Sequence, residues 1–149
     1  MPNSPVCLDA SFIVRLLVSE ETAPLTDALW EAWHRAGRPR AAPTLLYYEV
    51  SNALHRYVTA GVLTAAEAAI LLDAALSLDI TLYGDAALHR QALQLAERFA
   101  LPATYDAHYL ALAECLGGEL WTADRRLANA VRHHLPWVRL LEEASTGGV

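Results

Sequence analysis

The sequence predicts an α/β fold with a mostly parallel five-stranded sheet between two layers of helices. Short apolar runs alternate with longer alanine- and leucine-rich stretches along the chain, and this alternation is typical of parallel sheets covered on both faces. The 149 residues match one ordinary domain, without an internal repeat, a low-complexity run or a linker. We therefore expect a single domain over residues 1–149, in which residues 145–149 form a frayed tail.

Five short apolar segments are the predicted strands of the sheet. They are residues 5–9, 40–43, 79–83, 119–122 and 137–141. Runs of this length and composition indicate strands that are buried between helices.

Seven longer stretches are the predicted helices, at residues 10–18, 22–36, 44–60, 64–78, 85–100, 105–117 and 124–135. Three residues are placed to accept a hydrogen bond from a first-turn amide: Thr44, Thr64 and Asp85. Thr64 and Glu67 also have the spacing of a capping box. Gly61 and the Gly117–Gly118 pair are expected to end helices, because glycine tolerates the left-handed conformation required there.

Four acidic residues lie where the predicted strands and helices meet. Asp9 follows an apolar strand, Glu49 lies inside an apolar helix, Asp106 starts a helix and Asp124 follows a strand. Ligands of open parallel sheets bind beyond the carboxyl ends of the strands, so we expect these side chains to cluster there. A buried carboxylate needs a partner, and the chain has no lysine. Carboxylate oxygens favour Mg²⁺ or Mn²⁺ over Zn²⁺, so the pattern predicts a divalent-cation site.

Each acid taken alone also has a structural explanation. Asp9, Asp106 and Asp124 are each placed to cap a helix, where a negative charge is favourable. Ser11 and Thr122 lie two residues from Asp9 and Asp124. These hydroxyls are candidates to support the acids by hydrogen bonds, and they can equally satisfy backbone groups.

Two further candidates follow Glu49 on its predicted helix. Asn52, one turn later, is expected on the same face and is a candidate member of the site. Arg56, two turns later, is a candidate to contact a substrate phosphate, or else a solvated surface charge.

Composition is compatible with a nucleic-acid substrate and argues against a membrane span. The net charge is −6, but four of the seventeen acids belong to the predicted site, and a bound cation would reverse the local field. All eleven basic residues are arginine, which suits phosphate. No charge-free apolar run reaches about 18 residues, and a signal-peptide pattern is lacking, so we expect a cytoplasmic protein. Cys7 and Cys115 are expected to be small buried hydrophobes.

Several other α/β enzyme classes fail on specific residues. A haloacid-dehalogenase-type phosphatase requires a second aspartate two residues after Asp9, where Ser11 stands. A response-regulator receiver requires a lysine, and the chain has none. Glycine-rich loops for nucleotide phosphates are also lacking.

Four segments together resemble the acidic motifs of PIN domains, and most closely those of VapC-type toxins of bacterial and archaeal toxin–antitoxin pairs. They are Leu8–Ser11, Glu49–Leu54, Tyr105–Ala113 and Leu120–Leu127. The resemblance implies a metal-dependent endoribonuclease inhibited by a small antitoxin. It further implies that Asp9, Glu49, Asp106 and Asp124 are the catalytic, metal-binding acids, with Glu49 acting directly or through water. Arg15 stands where relatives often carry lysine, which preserves the charge. The alternative is a PIN-like module that binds RNA or protein with little turnover.

The first two predicted helices carry more large apolar residues than one core-facing stripe needs. Phe12, Leu16 and Trp30 are therefore candidates for a partner-binding surface. We expect a homodimer, and an antitoxin whose amphipathic helix docks against this region. The competing explanation is that the helices bury all three side chains against the sheet.

Overall fold

The computed structural model describes residues 3–144, and within them five strands form one all-parallel sheet. The strands are β1 (Val6–Leu8), β2 (Arg40–Pro43), β3 (Thr81–Tyr83), β4 (Glu119–Thr122) and β5 (Val138–Leu140). Their order across the sheet is β3-β2-β1-β4-β5, so the first strand of the chain lies in the centre. The predicted fold class and the five strands are confirmed. The expected frayed tail at residues 145–149 lies outside the described residues.

Eight helices flank the sheet in the described part of the chain. They are α1 (Ala10–Val18), α2 (Ala23–Arg35), α3 (Leu45–Thr59), α4 (Ala65–Leu76), α5 (Ala86–Arg98), α6 (Tyr105–Leu116), α7 (Arg125–Val131) and α8 (Leu141–Ala144). The first seven correspond to the predicted helices, although α7 ends at Val131 and not at residue 135, and the four-residue α8 was not predicted. No helix within residues 3–144 has both the length and the apolar character needed to cross a bilayer.

The core lies around the central strands. All residues of β1 and β2 are buried. Helix α6 packs across β1, β2 and β4, with its three alanines and two of its three leucines buried. Register places Val6 beside Arg40 on one side and beside Glu119 on the other. Cys7 is buried as expected, whereas Cys115 is exposed, so that expectation was wrong. Cys115 lies at the α5–α6 contact, where its thiol donates to Gln91 Oε1 at 2.8 Å.

One of the three predicted helix caps forms and two do not. Thr64 Oγ1 accepts from the Glu67 amide at 3.1 Å, and Glu67 Oε1 accepts from the Thr64 amide at 2.9 Å, so the capping box is confirmed. Thr44 makes no side-chain cap, and its backbone is helical where a capping residue normally has an extended conformation. Asp85 has the extended backbone of a cap, but its carboxylate accepts no first-turn amide.

The turn from α6 into β4 depends on two adjacent glycines. Gly117 ends α6 with a positive φ of 64°, as the sequence predicted. Gly118 is buried, and a Cβ placed on it would lie 2.1 Å from the carbonyl oxygen of Pro5. This close approach places the start of β4 beside the start of β1, in the register that pairs Val6 with Glu119.

Candidate active site

The four predicted acids line one open cavity of about 1030 Å³ beyond the carboxyl ends of β1 and β4. Asp9 directly follows β1 and Asp124 lies two residues after β4, and these strands are neighbours in the sheet. Glu49 comes from α3 and Asp106 from the first turn of α6. The fold therefore brings together residues that are far apart in the sequence, as parallel topology led us to expect.

Asp9 is the most enclosed of the four acids, with 4% of its surface exposed. Its Oδ1 accepts from the Ser11 hydroxyl at 2.6 Å and from the Phe12 amide at 3.0 Å. Its Oδ2 accepts from the Thr122 hydroxyl. The bond to the Phe12 amide also caps α1, so one carboxylate both starts a helix and faces the cavity.

Burial raises the pKa of the Asp9 carboxyl to about 6. The hydrogen bonds from Ser11, Thr122 and Phe12 lower that pKa, and repulsion from Asp106 raises it further. Asp9 forms no ion pair with any basic side chain of residues 3–144. It is therefore a buried acid held in place by hydroxyls and an amide, with no positive partner there.

Ser11 and Thr122 connect the ends of the two central strands. The Ser11 hydroxyl accepts from the Ala123 amide at 2.9 Å and lies 3.2 Å from Thr122 Oγ1. Thr122 Oγ1 accepts from the Asp124 amide at 3.0 Å. These two hydroxyls thus fix both the Asp9 carboxylate and the backbone that leads to Asp124.

Glu49 is positioned by a tyrosine that the sequence did not single out. The Tyr109 hydroxyl donates to Glu49 Oε1 at 2.6 Å, and Tyr109 is 1% exposed. Partial burial raises the pKa of Glu49, and the Tyr109 hydrogen bond opposes that rise. Burial, with the nearby Glu49 charge, raises the pKa of the Tyr109 hydroxyl, which stays protonated as a donor. Tyr109 lies three residues after Asp106, on the same face of α6, and this spacing was the available signal.

Asp106 and Asp124 share an arginine. Arg126 Nη2 lies 3.2 Å from Asp106 Oδ2 and 3.1 Å from Asp124 Oδ2. The other oxygen of Asp124 accepts from the Leu127 amide at 3.2 Å and so caps α7. Hydrogen bonding to Asp106, together with attraction to both acids, raises the pKa of Arg126. Arg126 was not among the site residues predicted from the sequence.

The donor chemistry of the cavity fits a small divalent cation. The Arg126 nitrogen marks a position where two carboxylate oxygens already face one positive charge. Within residues 3–144, no three Asp, Glu, His or Cys side chains form a ready metal-binding group in this conformation. Magnesium commonly keeps several waters and binds through only one or two carboxylates. Oxygen ligands from Asp106 and Asp124, with Asp9 and Glu49 lining the same cavity, suit that mode.

The remaining predicted residues divide between the cavity and other parts of the molecule. Arg56 lines the cavity, whereas Asn52 is exposed outside the lining, so its predicted place in the site is not supported. Phe12 is fully buried against Trp33, with ring centroids 5.6 Å apart, so it cannot belong to a surface and that prediction was wrong. Trp30 and Leu16 are half-buried and retain exposed surface.

The chain is similar in sequence and in fold to several known proteins. Residues 6–132 match the family model of the PIN domain. The chain is 35% identical over 127 residues to Ribonuclease VapC3 of Pyrobaculum aerophilum, covering 81% of this chain and 90% of that protein. Among solved structures, PAE2754 of Pyrobaculum aerophilum has a TM-score of 0.69 and 26% identity, over 95% of this chain and 93% of that one.

Two more distant structures share the fold. A toxin–antitoxin complex from Klebsiella pneumoniae has a TM-score of 0.65 at 18% identity, over 91% of this chain and 97% of that one. VapC20 of Mycobacterium tuberculosis, a toxin that cleaves the sarcin-ricin loop, has a TM-score of 0.62 at 19% identity, over 85% of this chain and 95% of that one.

Proposed function

Because this chain belongs to the PIN-domain family, we propose that it is an endoribonuclease, the toxin of a type II toxin–antitoxin pair, and that it hydrolyses RNA phosphodiesters with Mg²⁺ or Mn²⁺. The observation that carries the proposal is the single cavity lined by Asp9, Glu49, Asp106 and Asp124. The identity to a named ribonuclease over most of both chains supports the same reaction class.

The protein side chains have separate roles in the proposed reaction. Asp106 and Asp124 would hold the cation together with Asp9, while Glu49, oriented by Tyr109, would contact it directly or through water. A cation bound there would supply Lewis acidity, strengthening water as a nucleophile and neutralising charge on the phosphate. Arg56, at the wall of the same cavity, is placed to bind a substrate phosphate.

A cleavage assay on total RNA with mapped ends tests the reaction. We expect 5′-phosphate and 3′-hydroxyl ends and loss of cleavage in EDTA, because attack by water leaves the ribose 2′-hydroxyl unused. Replacing any of the four acids by alanine should reduce the rate by about 10²-fold or more, the scale seen when an electrostatic catalytic group is removed. A 2′,3′-cyclic phosphate product, or undiminished cleavage in EDTA, would rule this mechanism out. Specific RNA binding without cleavage would instead favour the binding-module alternative.

We also propose two protein partners, an antitoxin and a second copy of the chain. The proposed antitoxin-facing surface includes Trp30 of α2 and Leu16 of α1, which are half-buried and keep part of their surface accessible. Trp30→Ala should weaken antitoxin binding by about tenfold or more, as expected for an aromatic hot spot. The control is Trp137→Ala, a half-buried tryptophan directly before β5. An unchanged antitoxin affinity for Trp30→Ala would remove this surface from the proposal.

A homodimer is tested separately by sedimentation of the free toxin, and a monomer at all concentrations would exclude it. We also propose that residues 1–149 form a single domain. The proposed location is the cytoplasm, where the chain would encounter RNA and an antitoxin.

A further inference from the structure

We propose that Arg126 and the divalent cation compete for the same two carboxylates, so that the metal-free toxin holds itself in a resting state through its own arginine. The proposal rests on the metal-dependent function proposed above and adds a residue that controls metal affinity.

The Arg126 guanidinium lies where a bound cation would contact Asp106 and Asp124. One nitrogen, Nη2, contacts an oxygen of both Asp106 and Asp124, at 3.2 and 3.1 Å. A guanidinium can instead pair both nitrogens with one carboxylate, and that bidentate form is the stronger one. Here the arginine bridges Asp106 in the first turn of α6 and Asp124 at the N-cap of α7. A metal ion in the cavity would be expected to bridge the same two acids.

The contact of Arg126 with the two acids lies at the protein surface. The Arg126 side chain is 61% exposed, whereas those of Asp106 and Asp124 are 28% and 29% exposed. The arginine therefore reaches in from solvent over two more enclosed acids. An exposed ion pair contributes at most about 1 kcal/mol, so Arg126 can yield to a doubly charged ion. It would lower the affinity of the metal without preventing its binding.

Neighbouring arginines provide matched controls. Arg125, the next residue, pairs with Glu142 at 2.6 Å and contacts none of the four acids. Arg56 lines the same cavity but forms no ion pair with the acids among the described residues. Removing either residue changes the net charge as much as removing Arg126 does. A difference in metal affinity between the Arg126 variants and these controls therefore reports the direct contact of Arg126 with the acids, and not the loss of one positive charge.

The first experiment measures the Kd of Mg²⁺ and Mn²⁺ by isothermal titration calorimetry on the full chain. Arg126→Ala and the size-conserving Arg126→Gln should bind metal about three- to tenfold more tightly than wild type, the range set by one or two exposed ion pairs. Arg125→Ala and Arg56→Ala should stay within about twofold of wild type, because their charges are screened by solvent. Circular dichroism of each variant confirms that it is folded.

The second experiment follows the side-chain nitrogen signals of arginine by NMR during a Mg²⁺ titration of wild-type protein. The Arg126 signals should shift with the same midpoint as the calorimetric Kd, while those of Arg125 stay in place.

Four results would overturn the proposal. An unchanged or weaker metal affinity in both Arg126 variants would exclude competition, as would an equal gain in the Arg125 and Arg56 controls. Static Arg126 signals in the presence of bound metal would show that the ion binds elsewhere. If wild type and all variants bind no metal, the proposed metal site itself is wrong, and the competition fails with it.

Discussion

At the scale of the residue, Asp9 combines two demands that normally conflict. It caps α1 through the Phe12 amide, which favours an ionised carboxylate, yet it is almost completely buried, which disfavours one. Burial is the stronger effect, since the pKa of Asp9 is raised to about 6. The neutral form of the Asp9 carboxyl is therefore favoured in the folded protein, and ionising it lowers the free energy of unfolding.

The first prediction concerns the effect of Asp9 ionisation on the stability of the fold. Folded Asp9 retains a proton between its ordinary pKa of 3.8 and about 6, whereas the unfolded chain loses it. Raising the pH through this window should therefore destabilise wild type, by about 3 kcal/mol in total at 1.36 kcal/mol per pKa unit. Asp9→Asn cannot ionise and so avoids this pH-dependent loss of stability, but it lacks one hydrogen-bond acceptor, worth about 1 kcal/mol. In EDTA its melting temperature should match or exceed that of wild type, with an advantage that grows from about pH 4 to pH 6. A lower melting temperature for Asp9→Asn across this range would mean that Asp9 is mainly a structural cap.

The second prediction concerns the hydrogen bond that orients Glu49. Tyr109→Phe should lower kcat with little change in KM, because it releases Glu49 without altering the shape of the cavity. Stability should fall by about 1–2 kcal/mol, as for the loss of a buried bond to a charged group. Tyr47→Phe is the matched control, since it removes a 2.9 Å bond from a tyrosine hydroxyl to the Ala75 carbonyl away from the cavity. Equal effects of the two variants on kcat would exclude a special role for Tyr109.

The sequence was sufficient to place the four acids in one cavity, but not to find the residues that position them. The acids were recognisable because each stands at a strand end or on an apolar helix, where a charge is unexpected. Tyr109 looks like an ordinary core aromatic until its hydroxyl is seen to meet α3. Arg126 looks like a surface charge on α7, and its contact with Asp106 depends on how α6 and α7 are arranged in space.

At the scale of the element, local sequence predicted the positions of helices and strands better than it predicted their ends. Strand β2 and helix α1 have the predicted bounds, because the apolar runs that define them also lie in the core. Among Thr44, Thr64 and Asp85, only Thr64 caps its helix through its side chain. Thr44 has a helical backbone, which the residue type does not determine, and Asp85 has the extended backbone of a cap without the side-chain hydrogen bond. Helix α8 was missed because four residues are too few to show a helical period.

The third prediction compares two threonines at helix starts. Thr64→Ala removes the hydroxyl half of a complete capping box and should lower the free energy of unfolding by about 1 kcal/mol. Thr44→Ala removes a hydroxyl that caps nothing and should change it by less than about 0.5 kcal/mol. Urea denaturation followed by far-ultraviolet circular dichroism measures both. A larger loss for Thr44→Ala would contradict the assigned cap geometry.

At the scale of the whole molecule, the sheet order decides where the acids meet. The alternation of strands and helices predicted a parallel sheet, but local sequence does not indicate that β1 lies between β2 and β4. That order results from long-range packing, including the contact of Gly118 with Pro5 at the junction of β1 and β4. The cavity is thus a property of the complete sheet, and no single segment of the chain contains it.

The fourth prediction concerns the stability of the whole fold in the presence of metal. At a Mg²⁺ concentration of about one hundred times Kd, binding should add about 2.7 kcal/mol to the free energy of unfolding. For a domain of this size that corresponds to a rise of roughly 5–10 °C in melting temperature. The double variant Asp106→Asn/Asp124→Asn should lose this rise, while Asp73→Asn, which changes an exposed acid on α4, should keep it. An equal rise in all three proteins would indicate metal binding outside the cavity.

The central position of β1 has a consequence for synthesis on the ribosome. Asp9 is translated before its hydrogen-bonding partner Thr122, which lies 113 residues later in the chain. Until β4 has left the exit tunnel, β1 lacks its neighbour on that side, and Asp124 is not yet in place to close the cavity. The growing chain would therefore lack the assembled cavity while the residues between Asp9 and β4 are synthesised. Only after β4 and Asp124 have emerged can the four acids line one cavity, so the order of synthesis delays the formation of the site in every new copy of the chain.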